Sequence, residues 1–368
     1  MGNDGADPRL RELWAGLEER GCEALLVLAQ NAQDSDLAPF TGHAHIGECL
    51  LVVPRGGAPR LAYFTPMERD EAAGTGLDRL TPEELEVSRW QDERPEPADF
   101  LAAVAGRALD RAGIRPGRVA LAGHGSAGTI QGACASLARE GWEWVPGNTL
   151  VRLFRKRKSA QELAAIRAAA DATCAAMRHV AARLAAADER DGVLWLEGER
   201  LTVARLRAEL AQVLAARGME QPRGNILAPG EEGGVPHSTG TPDRALRSGE
   251  PIVVDLFPHG ELFADCTRTF CRGTPPEPVA RAYDAVERTL QAAYRAAADG
   301  VRGWSLQEEV CRIFQEAGYP TPISHPGTTH GYVHNLGHGV GFDLHEYPSF
   351  RKSTGAEGVL RQGDVFTL

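Results

Sequence analysis

The chain has 368 residues, 43% of them hydrophobic, and a formal net charge of -10. That is enough apolar material for two domains with separate cores, and the acidic balance excludes nucleic acid as an expected partner. No segment approaches the roughly 18 uninterrupted apolar residues of a membrane span. The opening Met1-Gly2-Asn3-Asp4-Gly5-Ala6 is acidic, with no signal-peptide core behind it, and Ala6 stands where a myristoylation signal wants Ser or Thr. A cytoplasmic protein is expected.

Residues 8 to 150 alternate between helical and strand patterns. A helix is expected near 8 to 20, strands at Ala24-Leu25-Leu26-Val27-Leu28 and at Cys49-Leu50-Leu51-Val52-Val53 before Pro54, and a helix near 98 to 112. A strand Val119-Ala120-Leu121-Ala122 and a helix near 126 to 140 complete a small α/β domain. Between these last two lies Gly123-His124-Gly125-Ser126-Ala127-Gly128, a lone match to a dinucleotide loop. No acidic residue ending a second strand follows about 20 residues later, so a tight turn is the reading taken.

Pro146-Gly147-Asn148 breaks the pattern, and a domain boundary is placed near 150. The run Arg155-Lys156-Arg157-Lys158 reads as a solvated charged face at this junction. Ser159-Ala160-Gln161-Glu162 then forms a capping box for an Ala-rich helix to about 186. A helix near 202 to 217 follows, with strands near 224 to 228, 250 to 257 and 262 to 271. Helices near 276 to 299 and 305 to 317 come next, the second with a capping box Ser305-Leu306-Gln307-Glu308. The order suggests two similar α+β halves. Seven dispersed cysteines with no C-x-x-C pair suggest reduced, mostly buried thiols and no thiolate zinc site. Only three lysines accompany many arginines, the codon bias of a GC-rich bacterial genome.

Two segments carry chemistry. Ile252-Val253-Val254-Asp255 and Leu262-Phe263-Ala264-Asp265 flank a Pro and Gly turn and read as a hairpin. A turn centred on Gly260 sets Asp255 opposite Asp265 on one face, with Cβ atoms about 5 Å apart. Two carboxylates so placed need a proton or a cation between them, and a metal is the economical answer. The second segment is His334-Asn335-Leu336-Gly337-His338-Gly339-Val340-Gly341-Phe342-Asp343-Leu344-His345-Glu346. Five of the eleven histidines fall between 325 and 345, too many for core filling and apt for metal binding or proton transfer. Glycines 337, 339 and 341 suggest close approach of another backbone or a substrate. His237, in the loop Gly234-Val235-Pro236-His237, could reach the same cleft.

Asp255, Asp265-x-Thr267-Arg268-Thr269, Gly337-His338-Gly339-Val340-Gly341 and Leu344-His345-Glu346, in this order and spacing, resemble the pita-bread metallopeptidases. That group comprises aminopeptidase P, prolidase and methionine aminopeptidase, with the creatinases as relatives. The resemblance covers roughly 155 to 368, starting at Arg157-Lys158-Ser159. It implies an α+β fold: a creatinase/prolidase-like N-terminal α/β domain over 1–150 and a pita-bread catalytic domain over 151–368, built from two α+β halves and C-terminally incomplete. It also implies two divalent ions, Mn2+ first with Co2+ or Zn2+ as alternatives. Asp255 would be a terminal ligand of one ion, Asp265 a bridge between both and His338 a terminal ligand of the other. His237, His334 and His345 would hold the substrate and stabilise the tetrahedral intermediate. His334, four residues before His338, resembles the proline-peptidase branch; methionine aminopeptidases usually lack it.

The implied activity is an Xaa-Pro peptidase of aminopeptidase P or prolidase type, using a dinuclear-metal-activated water on a short peptide with proline second, and acting as a homodimer. Two features depart from the family pattern. The hairpin is one residue short, with Phe257-Pro258 in place of a glycine, and the chain stops at Gly363-Asp364-Val365-Phe366-Thr367-Leu368, where the family continues with a Glu-Pro-Gly segment and a later glutamate. A form of weak or no activity is therefore expected. The alternatives are a small-molecule C-N amidohydrolase of creatinase or ectoine-hydrolase type, and a non-catalytic homologue should the protein truly end at Leu368.

Overall fold

A computed structural model describes residues 7–31, 34–42, 44–353 and 355–368; the N-terminal hexapeptide lies outside them. The chain divides into two compact units at Arg155/Lys156.

The first unit contains α1 (Pro8–Glu19), β1 (Ala24–Ala29), α2 (Ala38–Thr41), β2 (Cys49–Pro54), β3 (Arg60–Tyr63), α3 (Arg69–Gly74) and β4 (Asp78–Leu80). It continues with α4 (Val87–Glu93), α5 (Pro97–Arg111), β5 (Arg118–Gly123), α6 (Ala127–Ala138) and β6 (Glu143–Pro146), and α7 (Asn148–Lys156) carries the chain over the division. The six strands form one sheet in the order β4-β3-β2-β1-β5-β6. β1 lies antiparallel to β2 and parallel to β5.

Alternate residues of β1 feed two cores, as the two-residue period of a strand requires. Leu25 and Val27 pack with Leu13 and Leu17 of α1 and with Val151 and Phe154 of α7. Leu26 and Leu28 pack with Val104 and Leu109 of α5 and Leu137 of α6. Burial on both faces explains why β1 reads as an unbroken apolar run. Gly123, at the end of β5, has φ 99°, and a Cβ there would strike the backbone of Leu28. Close backbone approach thus accounts for this glycine of the G-x-G-x-x-G stretch.

The second unit opens with α8 (Ala160–Ala186), capped by the reciprocal Ser159 and Glu162 hydrogen bonds. The three-stranded meander β7 (Asp188–Arg190), β8 (Val193–Leu196) and β9 (Glu199–Arg200) follows, then α9 (Val203–Ala215). β10 (Asn225–Pro229), β11 (Pro251–Leu256) and β12 (Cys266–Cys271) form an antiparallel sheet. Its apolar face, including Leu227, Ile252, Val254 and Leu256, packs with Val180 and Leu184 of α8 and Leu206 and Leu210 of α9. The second half repeats the plan. α10 (Glu277–Ala296) and α11 (Gly303–Glu316) precede β13 (His338–Gly339), β14 (Glu346–Ser349) and β15 (Phe366–Thr367), in the order β14-β13-β15. Leu306 of α11 packs with Phe350 and Leu360 in a small core.

Four expectations are corrected. Asp255 does not pair with Asp265: β11 and β12 are in register at Asp255–Thr267, and the strand expected from 262 begins only at Cys266. Bridges from His259 to Glu220 and Phe263 hold 257–265 as a loop. Ser305 is not a helix cap, because α11 starts at Gly303 with Arg302 as its N-cap, and the Ser305 hydroxyl donates to Arg302 O. Cys22, Cys49 and Cys311 are the fully buried thiols, and all seven cysteines are free. The basic run is not a solvated face. Arg155, Lys156 and Lys158 are 2%, 5% and 5% exposed, because each meets a carboxylate: Arg155 pairs with Asp36, Lys156 with Asp364 and Lys158 with Glu346. Among the described residues no helix is long and apolar enough to cross a membrane.

Candidate metal centre

β11 alternates buried Ile252, Val254 and Leu256 with less buried Val253 and Asp255. Asp255 therefore lies on the face turned away from the helix-covered core. Its partner across the ladder, Thr267, donates its hydroxyl to Asp255 Oδ1 at 2.7 Å. Asp265 lies just ahead of β12, two residues before Thr267, and its charge reaches Asp255. The two carboxyls lie close enough for each to oppose the ionisation of the other.

His338 belongs to β13, which pairs with β14 through an irregular register and with β15 at Thr367. Its Nε2 lies 3.3 Å from Asp265 Oδ2, and its Nδ1 lies 3.0 Å from Gly339 O. The His345 ring sits 4.3 Å from that of His338, edge to face. The three alternating glycines make this crowding possible. A Cβ would meet the Thr367 backbone at Gly337, the Tyr347 backbone at Gly339 and the Lys158 side chain at Gly341.

The electrostatics follow from this packing. Burial first, and then the charge of Asp265, push the Asp255 carboxyl from 3.8 to about 6, against the hydrogen bond from Thr267. Burial alone would depress the His338 imidazole, but its hydrogen bonds to Asp265 and Gly339 O and the two carboxylate charges outweigh it and hold the ring above its ordinary value. His345 goes the other way, lowered by burial and by His338. A neutral His345 can donate one N–H at neutral pH.

Of the six residues singled out from sequence, Asp255, Asp265, His338 and His345 come together. His237 and His334 are exposed. His237 adopts a left-handed φ of 66°, and His334 Nδ1 bonds the adjacent Asn335 O at 2.7 Å. Neither shares a hydrogen bond, ion pair or ring contact with the other four. Among the described residues no three His, Cys, Asp or Glu side chains are gathered into a ready metal-holding group; Asp265 instead touches Asp255 on one side and His338 on the other. The donor chemistry nonetheless fits a divalent cation. Two carboxylates that resist ionising together lose that penalty beside a cation, and mixed carboxylate and imidazole donors suit Mn2+, Co2+ and Zn2+. Sequence reading missed Arg223, which pairs with Asp343 at 3.0 Å two residues before His345, and the partners of Lys158. A hint for the latter was that two of the three lysines fall in one short run beside a helix cap.

A family model for metallopeptidase family M24 matches residues 164–368, more than half of the chain. The chain belongs to metallopeptidase family M24. Among curated relatives of this M24 protein, the Xaa-Pro dipeptidase of Pyrococcus furiosus is 31% identical over 166 residues, 44% of this chain and 43% of that protein. The Probable dipeptidase PepE of Mycobacterium tuberculosis is 31% identical over 169 residues, 45% of this chain and 42% of that protein. The matched stretch thus spans less than half the length of these relatives. Among solved structures, the prolidase from Pyrococcus horikoshii OT3 has a TM-score of 0.70 at 20% identity, covering 98% of this chain and 89% of that one. Zn-substituted E. coli aminopeptidase P in complex with product has a TM-score of 0.65 at 19% identity, covering 97% and 85%. These likenesses show the fold, the mixed α+β pita-bread architecture.

Proposed function

We propose that this M24 chain is a metal-dependent Xaa-Pro peptidase, hydrolysing the bond between an N-terminal residue and a following proline. The observation that carries the reading is the meeting of Asp255, Asp265, His338 and His345 at one place in a chain of this family. Relatives named Xaa-Pro dipeptidase support the substrate class. The proposal includes a short peptide as substrate, a homodimer in the cytoplasm, and residues 1–150 as the creatinase/prolidase-type N-terminal domain.

In this reading Asp255, Asp265 and His338 hold a pair of divalent ions, Mn2+ first and Co2+ or Zn2+ as alternatives. Such ions supply Lewis acidity and lower the pKa of a water toward neutrality. The chain's own side chains do the rest. Thr267 holds Asp255 in place by its donated hydroxyl, as outer-shell partners of ligands do. His345, neutral at pH 7 and exposed at the edge of the cluster, donates a hydrogen bond to the carbonyl oxygen as negative charge develops there. His237 and His334, both exposed, orient the peptide.

The test is hydrolysis of an Xaa-Pro dipeptide and an Xaa-Pro tripeptide with added Mn2+, beside creatine, ectoine and a Met-Ala peptide. Weak cleavage, confined to the proline substrates, is expected of these 368 residues. Turnover of a small amide alone overturns the substrate assignment, and no turnover of any substrate by a metal-loaded form that also carries the family's two further glutamates favours a binding protein.

A further inference from the structure

The side chains of Lys158 and Glu346 form an ion pair with both partners fully buried. Lys158 Nζ also donates to Lys156 O at 3.1 Å, and Lys158 N donates to Gly363 O at 2.8 Å. Next to it Lys156 Nζ pairs with Asp364 Oδ2 at 3.0 Å, with side chains 6% and 1% exposed, and donates to Val359 O. The segment before α8 is thereby fastened to β14 and to the stretch 359–364 that precedes β15.

The place of the pair matters. Glu346 directly follows His345 and stands in register with Gly339, the neighbour of His338. A Cβ on Gly341 would lie 2.5 Å from Lys158 Cε and 2.9 Å from Glu346 Oε1, so the pair packs directly under that residue. Gly341 O accepts from Phe263 N at 2.8 Å, two residues before Asp265. One buried pair thus underlies the three short segments that carry His338, His345 and Asp265.

Ladder hydrogen bonds alone specify this region weakly. β13 has two residues and its register with β14 shifts between His338 and Gly339, and register is loosely set in short, Gly-rich strands. A buried ion pair adds little net stability over apolar groups of the same volume, but it demands one geometry. We propose that Lys158 and Glu346 are positioning residues for the M24 site: their pair sets the register of β14 against β13, and with it the contacts of His338 with Asp265 and His345. As a statement about catalysis it rests on the Xaa-Pro peptidase reading; as a statement about the geometry of the cluster it does not.

The test is the double variant Lys158→Met/Glu346→Leu, which removes both charges at similar volume, with Glu346→Gln as a conservative variant that keeps an acceptor for Nζ. The readouts are thermal midpoint, Mn2+ affinity by calorimetry and the ring 1H–15N signals of His338 and His345. For the double variant a near-parental midpoint is expected, with both ring signals shifted and Mn2+ bound about tenfold more weakly or worse, the scale for loss of a group that orients a ligand. Glu346→Gln should fall in between. A folded double variant with parental ring signals and parental Mn2+ affinity overturns the proposal. Should the double variant fail to fold, Gly341→Ala displaces the same pair, and unchanged ring signals there overturn it equally. If the parent binds no Mn2+, the metal reading fails, while the ring signals still decide the positioning role.

Discussion

Asp255→Asn should stabilise the metal-free protein at neutral pH while weakening its hold on divalent ions. The Asp255 carboxyl is raised from 3.8 to about 6 in the folded chain, so the folded state holds its proton more tightly than the unfolded state. The sign follows from linkage: the contribution is fully favourable below pH 3.8 and is lost as pH rises through about 6. A rise of this size is worth about 3 kcal/mol, at about 1.4 kcal/mol per pKa unit. Asp255 is only partly buried by surface area, and solvent screening reduces the expectation to about 2 kcal/mol. Asn keeps an Oδ1 to accept the Thr267 hydroxyl and carries no charge to desolvate. The assay is urea unfolding of EDTA-treated wild type and variant from pH 4.5 to 7.5, with hydrogen exchange of the 251–271 peptide reporting on the site. The stability difference should grow by about 1.3 kcal/mol in favour of Asn across that range, the rest of the change falling below pH 4.5. A difference that stays flat, or that turns against Asn as pH rises, refutes the reasoning.

His338→Ala should remove Mn2+ binding measured by calorimetry, whereas His345→Ala should leave metal content near normal and lower kcat by roughly a hundredfold, the scale for one lost oxyanion donor. Thr267→Val removes the hydroxyl that donates to Asp255 and should weaken Mn2+ affinity about tenfold. In the first unit, Asp36→Ala removes the carboxylate paired with Arg155, a pair whose side chains are 3% exposed on both sides. Breaking it should cost about 3 kcal/mol, read as a loss in urea unfolding of residues 7–155.

Part of the cluster is legible in local pattern. Asp255 was expected opposite Asp265, and the observed partner is Thr267; Asp265 sits two residues earlier, just ahead of β12, and the two carboxyls still interact. The glycines at 337, 339 and 341 were readable too, since a residue without a Cβ marks a place where something else must come close.

What the sequence by itself determined is periodicity and chemistry: the doubly buried β1, the Ser159 cap, the carboxylates and histidines suited to a cation, and the motif spacing of family M24. Tertiary structure alone decided which groups meet. The bridges of His259 and the hydrogen bond from Phe263 to Gly341 turned an expected strand into a loop, and an early start at Gly303 displaced the Ser305 cap. The histidines divided in the same way: His345 reaches His338, and His334 bonds its own neighbour. Burial of Lys158 depended on Glu346, 188 residues further along the chain. Charge in a local window favours solvent because an unpaired ion is costly to desolvate; only a partner brought in from a distant part of the chain reverses that preference, and no window of sequence contains it.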